Sequence, residues 1–87
     1  MRLNWSFEAL AGLEAIAERA PRGAAHLVEA VEWLVASPFP GMHRVLTGRR
    51  EGQHVLSVPP YVVFYAIEGD QLTVLTVTDA RRLRRPW

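Results

Sequence analysis

The apolar positions of this chain change period as it is read. Residues 2–5 alternate, with Leu3 and Trp5 on one side and Arg2 and Asn4 on the other, which predicts a short half-buried strand. Ser6 then fits a helix N-cap, because its hydroxyl can accept from an otherwise unpaired amide. Glu8 suits the positive end of the helix dipole. The helix is predicted to run to about Ala20, with Leu10, Leu13, Ile16 and Ala17 as its apolar stripe and Glu14, Glu18 and Arg19 in water. Pro21 is expected to stop it and Arg22-Gly23 to complete a short connection. A second helix is predicted from about Ala24 to Ala36, since Leu27, Val28, Val31, Leu34 and Val35 fall on one face. So short a link makes the two an antiparallel hairpin.

The second half of the chain changes to strand character. Ser37-Pro38-Phe39-Pro40-Gly41 ends the helical pattern. Residues 42–46 read as an irregular link and residues 47–52 as a glycine-bracketed basic loop. Gln53 to Val58 alternates as a strand, with His54, Leu56 and Val58 on one face, and Pro59-Pro60 turns the chain. Tyr61 to Ile67 and Leu72 to Val77 are the most β-prone stretches, and Gly69-Asp70 between them suits a two-residue hairpin loop. The order β-α-α-β-β-β predicts an α+β fold with the helix hairpin packed on one face of a mainly antiparallel four-stranded sheet. The partner of the first strand is left open by the pattern.

Length allows one domain, residues 1–87, closed by a basic tail over residues 81–87. There is no cysteine, hence no disulfide and no Cys-based zinc cluster. No apolar run is long enough for a membrane span, and the N-terminus lacks a signal-peptide core, so a soluble cytoplasmic protein is expected. Net charge is only +1, but all ten basic residues are arginine and they are unevenly placed. Arg44, Arg49 and Arg50 cluster in mid-chain and Arg81, Arg82, Arg84 and Arg85 near the end, while Glu8, Glu14, Glu18, Glu29 and Glu32 lie in the helices. An acidic helical side and a basic end point to an anionic partner.

Candidate chemistry is sparse. The three histidines have no metal-ligand spacing, no glycine-rich phosphate loop follows a strand, and no cofactor is expected. RNA cleavage would need proton acceptors and donors, and His43, Glu51 and His54 are the available groups, with Arg49, Arg50 and Arg81 to hold phosphate. Glu51 and His54 are expected to point to opposite sheet faces, so no convergent pair is evident. Trp33 falls off the core stripe of its helix, near His26, where it suits a partner contact.

Several segments, in order, resemble the RelE/ParE superfamily of toxins from type II toxin–antitoxin modules, and the ParE-like branch most. They are Trp5-Ser6-Phe7-Glu8-Ala9-Leu10, Ala24-Ala25 through Leu34, Pro38-Phe39-Pro40-Gly41, Gly48-Arg49-Arg50-Glu51, Pro60-Tyr61-Val62-Val63-Phe64-Tyr65 with Glu68-Gly69-Asp70, and Ala80-Arg81-Arg82. The resemblance spans nearly the whole chain. It implies the fold just described and an antitoxin partner that wraps and silences the toxin. It also implies one of two activities, messenger RNA cleavage on the ribosome or poisoning of DNA gyrase. RelE-like nucleases use strand lysines, or a histidine near the C-terminus followed by tyrosine. This chain has no lysine, and Val77-Thr78-Asp79 stands where such a histidine would. The expectation is therefore a toxin that binds gyrase or another protein target, through Arg49, Arg50, Arg81, Arg82 and Arg84. Trp33, His26, Arg81 and Arg82 are expected to meet the antitoxin. The alternatives are a RelE-type endoribonuclease using Glu51, His54 and His43, and an inactive homologue that only binds antitoxin. A free toxin is expected to self-associate to cover apolar surface.

Overall fold

A computed structural model describes residues 1–36 and 52–83 of the chain. Strand β1 (Arg2–Trp5) leads into helix α1 (Phe7–Arg19) and helix α2 (Pro21–Ala36). Strands β2 (His54–Val58), β3 (Tyr61–Glu68) and β4 (Gln71–Asp79) follow, and a 3₁₀ turn (Ala80–Arg82) closes the described chain. The helix pair on a four-stranded sheet is the α+β arrangement the pattern predicts. The proline-rich junction, the link 42–46 and all of the basic loop before Gly52 lie outside the described residues.

The sheet order is β1-β4-β3-β2. β2, β3 and β4 form an antiparallel meander, and β1 adds parallel to β4 in the register Arg2↔Gln71 to Trp5↔Val74. At the β3–β4 turn Gly69 takes φ +56 while no non-glycine residue has a positive φ. That is the left-handed first position a two-residue hairpin asks of glycine. Phe64 pairs with Thr76 and Tyr65 with Val74, so Leu75 is an extra residue, a bulge in β4.

Ser6 uses this bulge to seat α1. Its Oγ accepts from the Ala9 amide at 3.0 Å, capping the helix, and donates to the Leu75 carbonyl at 2.9 Å. Its backbone N–H donates to the Val74 carbonyl at 3.0 Å. One residue thus ends β1, starts α1 and locks both to β4.

Two expectations are corrected. Pro21 does not stop a helix but starts one, as the first residue of α2, with Ala20 alone between the helices. Proline suits that position because the amide it lacks would have had no helical partner. The α1 stripe is also rotated. Ala9 and Ile16 are buried and Leu13 half-buried, whereas Leu10 and Ala17 stand exposed. Small residues face the sheet because α1 lies almost on the β4 backbone. A Cβ built on Gly12 would come 2.5 Å from the Val77 carbonyl oxygen. The α2 face behaves as expected, with Ala24, Leu27, Val31 and Leu34 buried.

The main core lies between the helices and one sheet face, where Leu27, Leu34, Val63, Tyr65, Leu72 and Val74 meet. A smaller cluster occupies the other face: Val62 and Phe64, covered by Val55, Ala80 and Leu83. The Ala80 amide donates to the Pro60 carbonyl at 2.8 Å, which folds the closing turn back across the meander.

Candidate functional site

The close approach of α1 to β4 leaves a groove beyond their contact. Its volume is about 380 Å³. Gly12, Ala15 and Ile16 of α1 and Val77 of β4 give it an apolar floor, while Arg19, Tyr61, Arg81 and Arg82 stand at its rim. Each position has a local cause. Arg19 is the last residue of α1, where a cation suits the negative end of the helix dipole. Arg81 and Arg82 sit on the closing turn, which Asp79 caps. Tyr61 starts β3 and stands beside α2, where a Cβ on Gly23 would come 3.0 Å from its Oη.

The charges are partly spent within the site. The Arg81 amide donates to Asp79 Oδ1 at 2.9 Å, and its guanidinium donates to both carboxylate oxygens, Nε to Oδ1 at 3.0 Å and Nη2 to Oδ2 at 2.5 Å. The side-chain bonds first, and the amide bond next, hold the Asp79 carboxyl down at about 2. The side-chain bonds to Asp79, and then its negative charge, raise the affinity of Arg81 for its proton. Arg81 remains 77% exposed at its side chain. Among the described residues Arg19 and Arg82 form no ion pair. Guanidinium groups stay charged and make poor proton shuttles, so the arginines give this groove fixed positive charge and hydrogen-bond donors.

The other predicted residues are scattered relative to this groove. His54 pairs across the sheet with Tyr65 and stacks on its ring, with centroids 5.2 Å apart. Cross-strand partners share a face, so His54 stands on the helix-covered side, two strands from β4 or roughly 10 Å. Burial beneath the helices pushes the Tyr65 phenol up to about 12. His43, Arg49, Arg50, Glu51 and Arg84 lie outside the described residues. Of the expected antitoxin contacts, Arg81 and Arg82 meet in the groove and His26 is exposed one turn beyond Gly23. Trp33 is elsewhere, roughly 10 Å further along α2 than His26 at the helical rise per residue, and 55% exposed.

Two groups escaped the sequence reading. Arg19 looked like an ordinary water-facing residue, and only the groove shared by α1, β4 and the closing turn brings it near Arg82. At the other end of the hairpin, Phe7 is 94% and Leu10 42% exposed. The antiparallel helices put that start of α1 at the same end as Trp33. The off-stripe position of Phe7 was a readable signal, whereas that of Leu10 was masked by the rotation of α1.

Comparison with known proteins places this architecture. Residues 3–84 match the family model of the ParE toxin of type II toxin–antitoxin systems, parDE. No curated protein matches the chain. Several solved structures share the fold. A YoeB/ParE toxin from Agrobacterium tumefaciens is 18% identical, with 91% of this chain and 98% of that chain covered and a TM-score of 0.73. A chain of the chromosomal ParDE system from P. aeruginosa is 23% identical, with 91% and 95% covered and a TM-score of 0.75. A chain of the RelBE2 toxin–antitoxin complex from Mycobacterium tuberculosis is 21% identical, with 90% and 95% covered and a TM-score of 0.74. With the family model matched from β1 to just past the closing turn, the chain belongs to the ParE toxin family of type II toxin–antitoxin systems.

Proposed function

We propose that this toxin acts in the cytoplasm by binding a protein target, DNA gyrase first among the candidates, and that a cognate antitoxin silences it by covering its basic end. The observation that supports this reading most is the arginine-rimmed groove, which offers charge and hydrogen-bond donors and has no histidine among its described lining residues. His54, the described member of the candidate nuclease set, is stacked on Tyr65 on the helix-covered face, well away from it. The antitoxin partner is supported by the P. aeruginosa and M. tuberculosis relatives, which are described as toxin–antitoxin assemblies. Arg49, Arg50 and Arg84 are proposed to extend the target-binding surface formed by Arg81 and Arg82. Phe7, Leu10 and Trp33 offer an apolar end through which the free toxin would self-associate.

Induction of the toxin in growing cells tests this. Growth arrest with a DNA-damage response and intact messenger RNA is the expected result. The His43/Glu51/His54 triple alanine variant should remain as toxic as wild type. If wild type cuts messenger RNA on ribosomes and the folded triple variant neither cuts nor arrests growth, the chain is a ribosome-dependent endoribonuclease and the protein-target reading fails. An absence of any growth arrest would leave a homologue that only binds antitoxin.

A further inference from the structure

The groove between α1 and the end of β4 is more than a cluster of exposed arginines. Its floor is aliphatic and small, made by Gly12, Ala15 and Val77. Its rim holds three guanidinium groups against one carboxylate, Asp79, which already takes Arg81 in a bidentate fork. That leaves Arg19 and Arg82 without ion pairs among the described residues, with Tyr61 lining the same space. On the reading that an antitoxin silences this chain, we infer that the groove receives an acidic stretch of that antitoxin, a carboxylate reaching Arg19 and Arg82 while an aliphatic neighbour rests on Gly12 and Ala15.

Three observations favour a peptide carboxylate over a nucleic acid. Single-stranded nucleic acids are held by aromatic platforms on which bases stack, and among the described residues the groove presents Tyr61 as its one aromatic residue. Its floor is aliphatic, suited to a short side chain such as Leu or Val. The Asp79 carboxylate sits among the arginines, which opposes a continuous track of phosphates but leaves room for one carboxylate between two guanidinium groups. The Asp79–Arg81 fork itself shows a carboxylate accepted in this setting.

Calorimetry on the full chain with its cognate antitoxin tests the site. Arg19→Gln and Arg82→Gln should each weaken binding roughly two- to fivefold, the range for exposed charge pairs, and the double variant by about the product. Arg2→Gln, at the outer sheet edge, should bind as wild type does. The salt dependence of binding should also be shallower in the double variant. A second arm uses free toxin labelled for amide NMR and a short peptide alternating Leu and Glu. Saturable shifts at Gly12, Ala15 and Thr78 that vanish with the Leu and Gln peptide support the site even if no antitoxin binds, in which case only the antitoxin reading fails. Equal antitoxin affinity in wild type and the Arg19/Arg82 double variant overturns the inference while leaving the toxin assignment intact. Tighter, groove-mapped binding of oligothymidylate than of the acidic peptide also overturns it, and makes the site a nucleic-acid contact.

Discussion

Replacing Gly12 with alanine should destabilise the protein although the position is helical. In an exposed helix interior, glycine to alanine gains about 0.5–1 kcal/mol, because glycine loses more backbone freedom on folding. Here the new methyl would sit 2.5 Å from the Val77 carbonyl oxygen, a backbone atom of a central strand. Ordinary C···O contacts lie near ~3.3–3.6 Å, so α1 must lift by close to an ångström or tilt. That movement strains the Ser6 bonds to Leu75 and Val74 and loosens Ile16 against the core. Overpacking of this kind costs about 1–3 kcal/mol, which outweighs the propensity gain and leaves a net loss of about 1–2 kcal/mol. For a domain this small the melting temperature should fall by roughly 4–16 °C. Urea and thermal unfolding followed by circular dichroism would measure it. Ala11→Gly, one residue away and exposed, provides the opposite perturbation and should lose about 0.5–1 kcal/mol through propensity alone. Both changes should therefore destabilise. A Gly12→Ala protein with a higher urea midpoint than wild type would refute the close approach of α1 to β4.

The helix faces, the Asp79 fork and the apolar end give further tests. Leu34→Ala should cost about 2–5 kcal/mol by leaving a core cavity, whereas Leu10→Ala, on the exposed side of α1, should cost less than about 1 kcal/mol in the same unfolding assay. Because the folded carboxyl of Asp79 titrates near 2, below its ordinary value, its contribution is fully present above about pH 4 and is lost as pH falls from there through about 2. The unfolding midpoints of wild type and Asp79→Asn should therefore differ at neutral pH and converge in acid. Carboxyl NMR should show the Asp79 midpoint climbing back towards ~3.9 in Arg81→Ala. Trp33→Ser should leave stability nearly unchanged but weaken self-association of free toxin, read by analytical ultracentrifugation, and an undiminished dimer would remove Phe7, Leu10 and Trp33 from that role.

Much of the fold was legible because the signals are local. Thr and apolar residues alternate through β4, Gly69 meets a turn that needs positive φ, and Ser6 stands where a helix needs an acceptor. Leu27, Val31 and Leu34 share a face at any helical phase. The same local reading misplaced Pro21, because proline is equally compatible with the residue after one helix and the first residue of the next, and only tertiary packing decides how short the link is. It rotated α1 by favouring leucine over glycine and alanine, when close packing on β4 favours the small residues.

The site divides along the same line. The excess of arginine at the chain end, the lack of lysine and the off-stripe position of Trp33 are properties of sequence, and they suffice to indicate a basic end and an exposed tryptophan. Which arginines share one groove is not such a property. Arg19 and Arg82 are far apart in the chain and meet only because α1 rides on the β4 backbone and the closing turn bonds back to Pro60. Arg81 looked equivalent to Arg82 until the capped turn paired it with Asp79. The parallel seat of β1 beside β4 was equally undetermined, since four alternating residues pair as readily in either direction. Local periodicity and capping are fixed by neighbours in the chain, but strand partners, helix phase and charge pairing depend on contacts between distant residues, which exist only once the core has closed.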